Sequence, residues 1–443
     1  MCLILVCLVV LAVLIGWIGD LTASSQWQAG RQRALERIQK AKIAEFQSGY
    51  DFAVIEANAW DYYLKASETL DSLKTGKLDS LVFGKTFDPK EANRFLTEYK
   101  KEISLWDSGA CSRYCRTPFE YEKGYTAPIP KYISLQKILK LALIKGRAEI
   151  SAGRTQQGVL TYSKALKTAM DISGGSETVI ARMVGIVAGK YVKRIIVNDI
   201  DRFDTGSIIL LQEAIEKAEK EWPEMHASIS MEALTTYMTI DTHGHLIEGG
   251  SIGRIDEEPM VQFIRQPAYS LLCWNHFFSL KRSMINFSSL QQKFADETKV
   301  CPEKYWSNIK PALKQNEEHI KKVAKGDIFV TIAMPNNTAF FKSEYELRMG
   351  LRVIKDALLL RNYRLKNGKY PAKLLQTVKD SPENNDIANG LPLRYVVNQD
   401  KTVWLYSVGL NLADDGGKNF VLSEGITRST VNEAQDDIGI KLE

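Results

Sequence analysis

The chain has 443 residues, which is too long for one ordinary hydrophobic core, so two domains are expected. Hydrophobic residues make up 45% of the sequence and charged residues 25%, and this composition excludes an intrinsically disordered protein. The net charge is only +5 and no cluster of Lys and Arg is interleaved with aromatic residues, so no nucleic acid partner is expected.

The N-terminal segment is apolar throughout. Its first nineteen residues, MCLILVCLVVLAVLIGWIG, carry no charged side chain, and as a helix they would be about 28 Å long, close to the hydrocarbon thickness of a bilayer. The segment predicts a membrane anchor over residues 1–20, with residues 3–19 in contact with lipid. A cleaved signal peptide is the alternative, with a cleavage site at Ala23-Ser24-Ser25, although the basic start of a signal peptide is missing.

The charges that flank this segment bear on its orientation. Basic residues follow the segment and none precedes it. By the positive-inside rule, this asymmetry would place the body of the protein in the cytoplasm, as a helical adaptor. The basic residues are Arg31, Arg33, Arg37, Lys40 and Lys42.

Helical periodicity dominates the chain from about residue 28 to residue 335. The pattern breaks between Cys111 and Pro130, which indicates a long loop. The stretch GRAEISAGRTQQGVLTYSKALKTA resembles one tetratricopeptide unit, in which small residues let two antiparallel helices approach closely and an aromatic residue fills the gap between them. An α-solenoid-like body is therefore expected. The positions that carry the resemblance are Gly146, Gly153, Gly158, Tyr162 and Ala165.

Cys111 and Cys115 stand four residues apart in the predicted loop, in DSGACSRYCRTPFEY. This spacing allows a local disulfide if the compartment is oxidising, and two free thiols are an equal alternative. A zinc ion would need two more ligands, and no Cys or His lies close by in the sequence to supply them.

One stretch of the helical region carries residues that could do chemistry. In IDTHGHLIEGGSIGR, Asp241, His243 and His245 alternate, and residues 249–253 match the Gly-x-Ser-x-Gly form of a nucleophile elbow around Ser251. The chain could therefore be a serine or metal-dependent hydrolase. An elbow must follow a buried strand, however, and Leu-Ile-Glu is too short and too polar to be one, so a solvated Gly-rich loop is expected. No nucleotide is expected, because the sequence has neither a Walker A run nor a Gly-x-Gly-x-x-Gly after a strand.

The C-terminal stretch predicts a helix followed by a β-hairpin. The helix has one apolar stripe and ends at Asn367-Gly368, where glycine supplies the left-handed stop, and two strands are predicted at 393–397 and 402–408 with a polar turn between them. Tyr395, Trp404 and Tyr406 would help to form a small core, so residues 340–443 are expected to fold as an α+β domain. The apolar stripe consists of Leu347, Leu351, Ile354, Leu358 and Leu365.

The motifs YRLKNGKYP, PLRY, LYSVG and DDGG follow one another in this stretch. In this order they resemble the C-terminal part of the major pseudopilin of type II secretion, and still more the similar domain that ends many uncharacterised, membrane-anchored bacterial proteins. The blocks NAWDYYLKASETL, CRTPFEYEKGY and SETVIARMVGIVAGK resemble the same proteins and extend the likeness over most of the chain. The resemblance implies a location outside the cytoplasm. Where the family has an Asp-Pro-Phe-like turn before PLRY, this chain reads DIANGLPLRY. The docking of this loop is therefore expected to differ from that in the family.

The resemblance also implies a calcium ion. Major pseudopilins hold one where the loop after the last hairpin strand meets a returning Asp-containing segment, and LYSVGLNLADDGG and QDDIGIKLE resemble those two halves. Calcium takes six to eight hard oxygen ligands, as carboxylates and carbonyls provide. The alternative is that the first half is an exposed turn and the second simply precedes a strand. The predicted ligands are Asp414, Asp415, Asp436 and Asp437.

The sequence as a whole therefore predicts a mainly α protein with a small α+β domain at its C-terminus. We expect it to be anchored in the membrane, with its body in the periplasm or at the cell exterior and with protein partners of the envelope. The expected role is a non-catalytic interaction or assembly module. A hydrolase that uses Ser251 with His243 or His245 is the alternative.

Overall fold

The computed structural model describes residues 25–37, 39, 57–84, 86–248, 285–299, 305–324, 337–378, 381–417 and 437–443. In these residues the fold is mainly helical with one small antiparallel sheet, which confirms the predicted fold class at that level. Among the described residues, no helix is both long and apolar enough to cross a bilayer. The predicted anchor over residues 1–20 lies outside them.

The helices of the N-terminal part include several that begin at a side-chain cap. Asn58 accepts a hydrogen bond from the backbone N–H of Trp60, and Asp204 accepts one from Ser207. The helices are α1 (residues 25–37), α2 (Ala59–Ser67), α3 (Thr75–Phe83), α4 (Pro89–Glu98), α5 (Lys100–Cys111), α6 (Tyr132–Ser151), α7 (Thr155–Gly175), α8 (Val179–Asp199), α9 (Thr205–Glu221) and α10 (Met225–Glu248).

Later in the chain come α11 (residues 285–299), α12 (Trp306–Ala324) and α13 (Asn337–Asn367), followed by the strands β1 (Arg394–Val397), β2 (Val403–Ser407) and β3 (Ile438–Leu442). Short 3₁₀ turns lie at Glu68–Leu70, Tyr121–Thr126, Ile200–Arg202 and Leu374–Gln376.

Helices α6 and α7 form the close hairpin that the tetratricopeptide-like stretch predicts. Gly153 turns the chain between them with a φ of +78°. Gly146 and Gly158 face each other, since a Cβ on Gly158 would lie 2.7 Å from the carbonyl oxygen of Gly146. Tyr162 is buried in the hairpin and its hydroxyl donates a hydrogen bond to Asp199 of α8 at 2.6 Å. The glycines thus allow the two backbones to approach, as expected from their spacing.

Replacing Gly158 with alanine is expected to destabilise the protein by about 1–3 kcal/mol, because the new Cβ would overlap the backbone of α6 and the side chain of Ile150. Gly76 in α3 is the matched control, since a Cβ there meets no atom within 4 Å and alanine is the better helix former. Chemical denaturation should show a loss for Gly158→Ala and none for Gly76→Ala. Equal midpoints for both variants would mean that the α6–α7 crossing is not close-packed.

The predicted end of the long helix and the predicted hairpin are both confirmed. Gly368 has a φ of +71° and its N–H donates to the carbonyl of Arg364 at 2.8 Å, which ends α13. Strand β1 pairs with β2 in antiparallel register, with Arg394 opposite Tyr406. Strand β3 pairs with the other edge of β2, so the sheet order is β1-β2-β3. The hairpin is therefore extended by a strand that returns from the C-terminus.

The C-terminal sheet shares its core with the helical body. Helix α13 contacts α8 and α9 as well as β2 and β3, and one cluster of buried hydrophobic residues extends from Ala59 to Leu442. Trp306, at the start of α12, donates its indole N–H to the carbonyl of Leu410 at 2.8 Å, and its ring lies 5.3 Å from that of Tyr345. Residues before 340 thus complete the core around the sheet. The predicted domain boundaries, 28–335 and 340–443, stay predictions. Independent folding of residues 340–443 also stays a prediction.

Asp386 docks the loop that begins the stretch DIANGLPLRY. Its buried carboxylate accepts hydrogen bonds from the N–H of Ala388 at 2.8 Å, the hydroxyl of Ser407 at 2.7 Å and the N–H of Val408 at 3.0 Å. Burial raises the pKa of this carboxyl, although the three donors oppose the shift. The loop is thereby fixed to the end of β2 by one side chain.

Candidate functional site

The two segments that the resemblance pairs do meet in the structure. After β2, the chain folds into a loop over residues 408–417, hereafter the acidic loop. Its last residues, Gly416 and Gly417, have φ values of +76° and +71°, which glycine adopts without strain. The N–H of Gly417 then donates to Oδ2 of Asp437 at 2.7 Å, just before β3 begins. The acidic loop and the C-terminal strand are therefore joined at an aspartate.

The carboxylate of Asp414 accepts several hydrogen bonds within the protein. Nε of Arg394 lies 3.0 Å from Oδ2, and the hydroxyl of Tyr406 and the N–H of Gly416 donate to Oδ1 at 3.0 and 3.1 Å. The pKa of Asp414 is lowered, because these hydrogen bonds and the charge of Arg394 outweigh the partial burial that would raise it. This carboxylate is held ionised by the protein itself.

Asp415 and Asp437 are less fully paired. Oδ2 of Asp415 accepts a hydrogen bond from Nδ2 of Asn411 at 2.9 Å. Asp437 is buried and its Oδ1 has no hydrogen-bond partner. Burial raises the pKa of Asp437 to about 6; the backbone N–H groups of Gly417 and Asp415 oppose the shift, and the charges of Asp415 and Asp414 add to it. An uncompensated buried oxygen beside two carboxylates favours a positive charge at this place.

The donor chemistry of Asp414, Asp415 and Asp437 fits a hard divalent cation such as calcium. In the described part of the chain, however, no three His, Cys, Asp or Glu side chains converge closely enough to hold a metal ion. Asp436, the fourth predicted ligand, lies outside the described residues. Calcium binding therefore stays a prediction.

The residues of the hydrolase alternative do not lie where the sequence predicts them. Helix α10 continues to Glu248, so Asp241, His243 and His245 belong to a helix and the predicted Gly-rich loop is wrong at these positions. Residues 249–253, with Ser251, lie outside the described residues.

Cys111 and Cys115 are free thiols in the structure. Cys111 is exposed at the end of α5, whereas Cys115 is half-buried and its Sγ lies 3.8 Å from the carbonyl oxygen of Asp171. Burial raises the pKa of the Cys115 thiol well above its usual value, and the nearby Asp171 carboxylate adds to the effect. A disulfide between the two cysteines stays a prediction for protein taken from an oxidising compartment.

Sequence reasoning missed a buried ionic joint between α9 and α13. Glu219 accepts a hydrogen bond from Nε of Arg352 at 2.6 Å and one from Nζ of Lys355 at 3.2 Å. Arg352 also donates to the carbonyl of Asn385 at 2.8 Å, and Lys355 donates to that of Glu383 at the same distance. The joint therefore connects the helical body, α13 and the loop before the sheet. No local pattern signals it, since Glu219 and Arg352 are 133 residues apart.

The chain as a whole has no detectable relative among known proteins. Comparison of the chain with protein-family models, with curated proteins and with solved structures finds no match. The resemblance to the major pseudopilin thus stays a prediction.

Proposed function

We propose that the protein is a membrane-anchored, non-catalytic interaction or assembly module of the cell envelope, with its body outside the cytoplasm. The observation that supports this most directly is the packing of α1, the helix that follows the predicted anchor. Gly30 of α1 contacts the ring of Tyr237 in α10, and Ala34 is buried in the same cluster. Nη2 of Arg37 lies 3.8 Å from Oε2 of Glu177, two residues before α8. Helix α1 is thus part of the body rather than a free linker.

The packing of α1 on α10 would fix the position of the body relative to a membrane anchor. If residues 3–19 lie in the bilayer, then the chain from residue 19 to residue 25 reaches at most about 20 Å. The body would be held at that distance from the membrane and in a defined orientation, since α1 cannot swing away from α10 without exposing apolar surface. The sheet would be held with it, because α13 and the Glu219 joint connect both parts. Such an arrangement would present the same surfaces of the body to partner proteins at a fixed distance from the membrane.

We include in this proposal the calcium ion that the resemblance implies, with Asp414, Asp415, Asp436 and Asp437 as its ligands. The three ligands that the structure describes do not converge closely enough to hold an ion in this conformation, so they would have to move together when it binds. When bound, the ion would supply positive charge to carboxylates that come from two distant parts of the chain. Its role would be to secure β3 to the acidic loop and so to stabilise the sheet. The unpartnered Oδ1 of Asp437 is the observation that favours it.

Two measurements on the full-length protein test the proposal. Alkaline phosphatase fused after Glu443 should be active and a green fluorescent protein fused there should be dark, because only the former matures outside the cytoplasm. A fluorophosphonate probe should label neither the wild type nor the matched variant Ser251→Ala. The reverse reporter pattern would overturn the location, and labelling that Ser251→Ala abolishes would establish the hydrolase alternative.

A further inference from the structure

The outer edge of β1 offers backbone groups that no neighbouring strand uses in the part of the chain that the structure describes. The N–H of Asn398 donates to the carbonyl of Thr402 at 2.8 Å, which fixes the hydrogen-bonded pairs of the β1–β2 ladder. Because such pairs alternate along antiparallel strands, Val396 bonds to β2, whereas Tyr395 and Val397 direct their N–H and C=O groups away from it. An edge of this kind can accept a further strand.

The side chains of β1 do not protect this edge. Val396 and Val397 are 40% and 49% exposed, and β1 contains neither Lys nor Pro, the residues that usually block edge-to-edge pairing. Its one charged residue, Arg394, is paired with Asp414 at 3.0 Å. A partner strand would cover apolar surface of the two valines and so stabilise the pair.

We infer that this edge pairs with the same edge of a second copy of the chain, in antiparallel register and with Val396 on the two-fold axis. The two three-stranded sheets would then form one sheet of six strands. Tyr395 of each copy would exchange both backbone hydrogen bonds with Val397 of the other, so all the outward groups of β1 would be used. The inference rests on the proposed function and deepens it, since it names the partner with which the assembly module associates.

The sequence of β1 suits a copy of itself. In this register Arg394 would lie opposite Asn398 of the second copy, so no like charges would meet. Val396 would lie opposite its own counterpart in a non-hydrogen-bonded pair, in which side chains are closest. Trp404 is half-buried and stands opposite Val396 in the β1–β2 ladder, so two valines and two tryptophans would form one apolar row across the joined sheet.

The edge is short, and its length determines where the pair should form. Four residues bury far less surface than the about 1,200–2,000 Å² of a specific, stable interface, so few dimers are expected in dilute detergent. Copies that are anchored in one membrane by residues 3–19 would be held at a high effective concentration. We therefore expect dimers in the membrane and monomers after extraction.

The experiment is disulfide cross-linking of the full-length protein in its membrane, with Cys111→Ser in every variant because Cys111 is an exposed thiol. The Cα atoms of a non-hydrogen-bonded pair lie about 4.5 Å apart, which a disulfide can bridge, so Val396→Cys should form a dimer on oxidation with copper phenanthroline. Val397→Cys is the matched control. The Cα atoms of residue 397 in the two copies would stand roughly 8–9 Å apart, which exceeds the reach of a disulfide, and we expect at least about fivefold less dimer.

A second pair of variants separates edge pairing from folding. In the Val396→Cys background, Val397→Pro removes an N–H that points away from β2, so the β1–β2 ladder keeps its hydrogen bonds. The dimer should then be lost. Val397→Thr keeps both the N–H and a β-branched side chain, and its dimer should remain. Thermal melting of the two variants checks that the fold is retained.

The yields of dimer decide the inference. Dimer from Val396→Cys, with little from Val397→Cys and none once Val397→Pro is added, supports it. Equal yields from the two cysteine variants overturn the register, and no dimer from either overturns the pairing while the proposed anchor stands. If mass spectrometry finds a different protein linked to Val396→Cys, then the edge serves another partner and the inference fails. Release of the protein from the membrane by carbonate would instead overturn the anchor of the proposed function, and the cross-linking yields would still decide the inference.

Discussion

Replacing Glu219 with alanine is expected to destabilise the protein by about 3–5 kcal/mol, which is the usual cost of removing one partner from a buried ion pair. The side chains of Glu219, Arg352 and Lys355 are only 12%, 10% and 5% exposed. Without the carboxylate, two positive charges would be left in a site that water barely reaches. The carbonyls of Asn385 and Glu383 would remain as hydrogen-bond partners and cannot neutralise charge. The buried carboxyl of Asp356 would be the remaining acid, and burial raises its pKa to about 7.

A neighbouring glutamate provides the matched control for Glu219→Ala. Glu221 belongs to the same helix and pairs with Lys217 at 3.9 Å, but both side chains are mostly exposed. Glu221→Ala should therefore change stability by less than about 1 kcal/mol. Chemical denaturation of both variants makes the comparison. A small loss for Glu219→Ala, similar to that for Glu221→Ala, would show that water reaches the joint and that it does not tie the sheet to the body.

Replacing Trp306 with alanine is also expected to cost about 3–5 kcal/mol, because a large buried aromatic side chain leaves a cavity. Trp306 is 1% exposed and lies between the body and the C-terminal sheet, where it contacts Tyr345 and the carbonyl of Leu410. Its backbone N–H donates to the carbonyl of Ile387 at 2.8 Å, so α12 begins on the loop that Asp386 docks. Removal of the Trp306 side chain should therefore destabilise both the sheet and the start of α12.

Trp306→Phe separates packing from hydrogen bonding in this prediction. Phenylalanine keeps an aromatic ring near Tyr345 but removes the indole N–H, and Lys310 still donates to the carbonyl of Leu410 at 3.0 Å. The cost should then fall to about 1–2 kcal/mol. Hydrogen exchange followed by mass spectrometry can locate the change. Protection of β2 and β3 that is unaltered in Trp306→Ala would contradict a shared core around Trp306.

Several elements could be predicted because their signals are local. The stop of α13 at Gly368 needs one residue that tolerates a positive φ, and the predicted strands at 393–397 and 402–408 agree with β1 and β2 to within one residue at each end. The glycines of the α6–α7 hairpin are likewise close in sequence to the contact that they permit. In each case the residues that form the structure lie within a few turns of one another.

Other features depend on residues that are far apart and carried no such signal. The alternating polar residues at 241–245 suggested a loop, but the backbone continues as α10, whose earlier turns pack on α8 and on the turn at Tyr121–Thr126. The role of Trp306 in the sheet was missed because its partner Leu410 is 104 residues away. Helical and strand periodicity show which face of an element is buried, and they do not show what covers that face.

The sequence by itself determined the mainly helical character, the hairpin and its turn, the end of the long helix and the presence of carboxylates at 414–415 and 436–437. The tertiary structure alone decided that Glu219 joins α9 to α13, that β3 completes the sheet, and that Arg394 reaches Asp414 from β1. The physical reason is the range of the interactions. Backbone propensity and periodicity act within a few residues, whereas the pairing of buried charges is settled only when distant segments pack against one another.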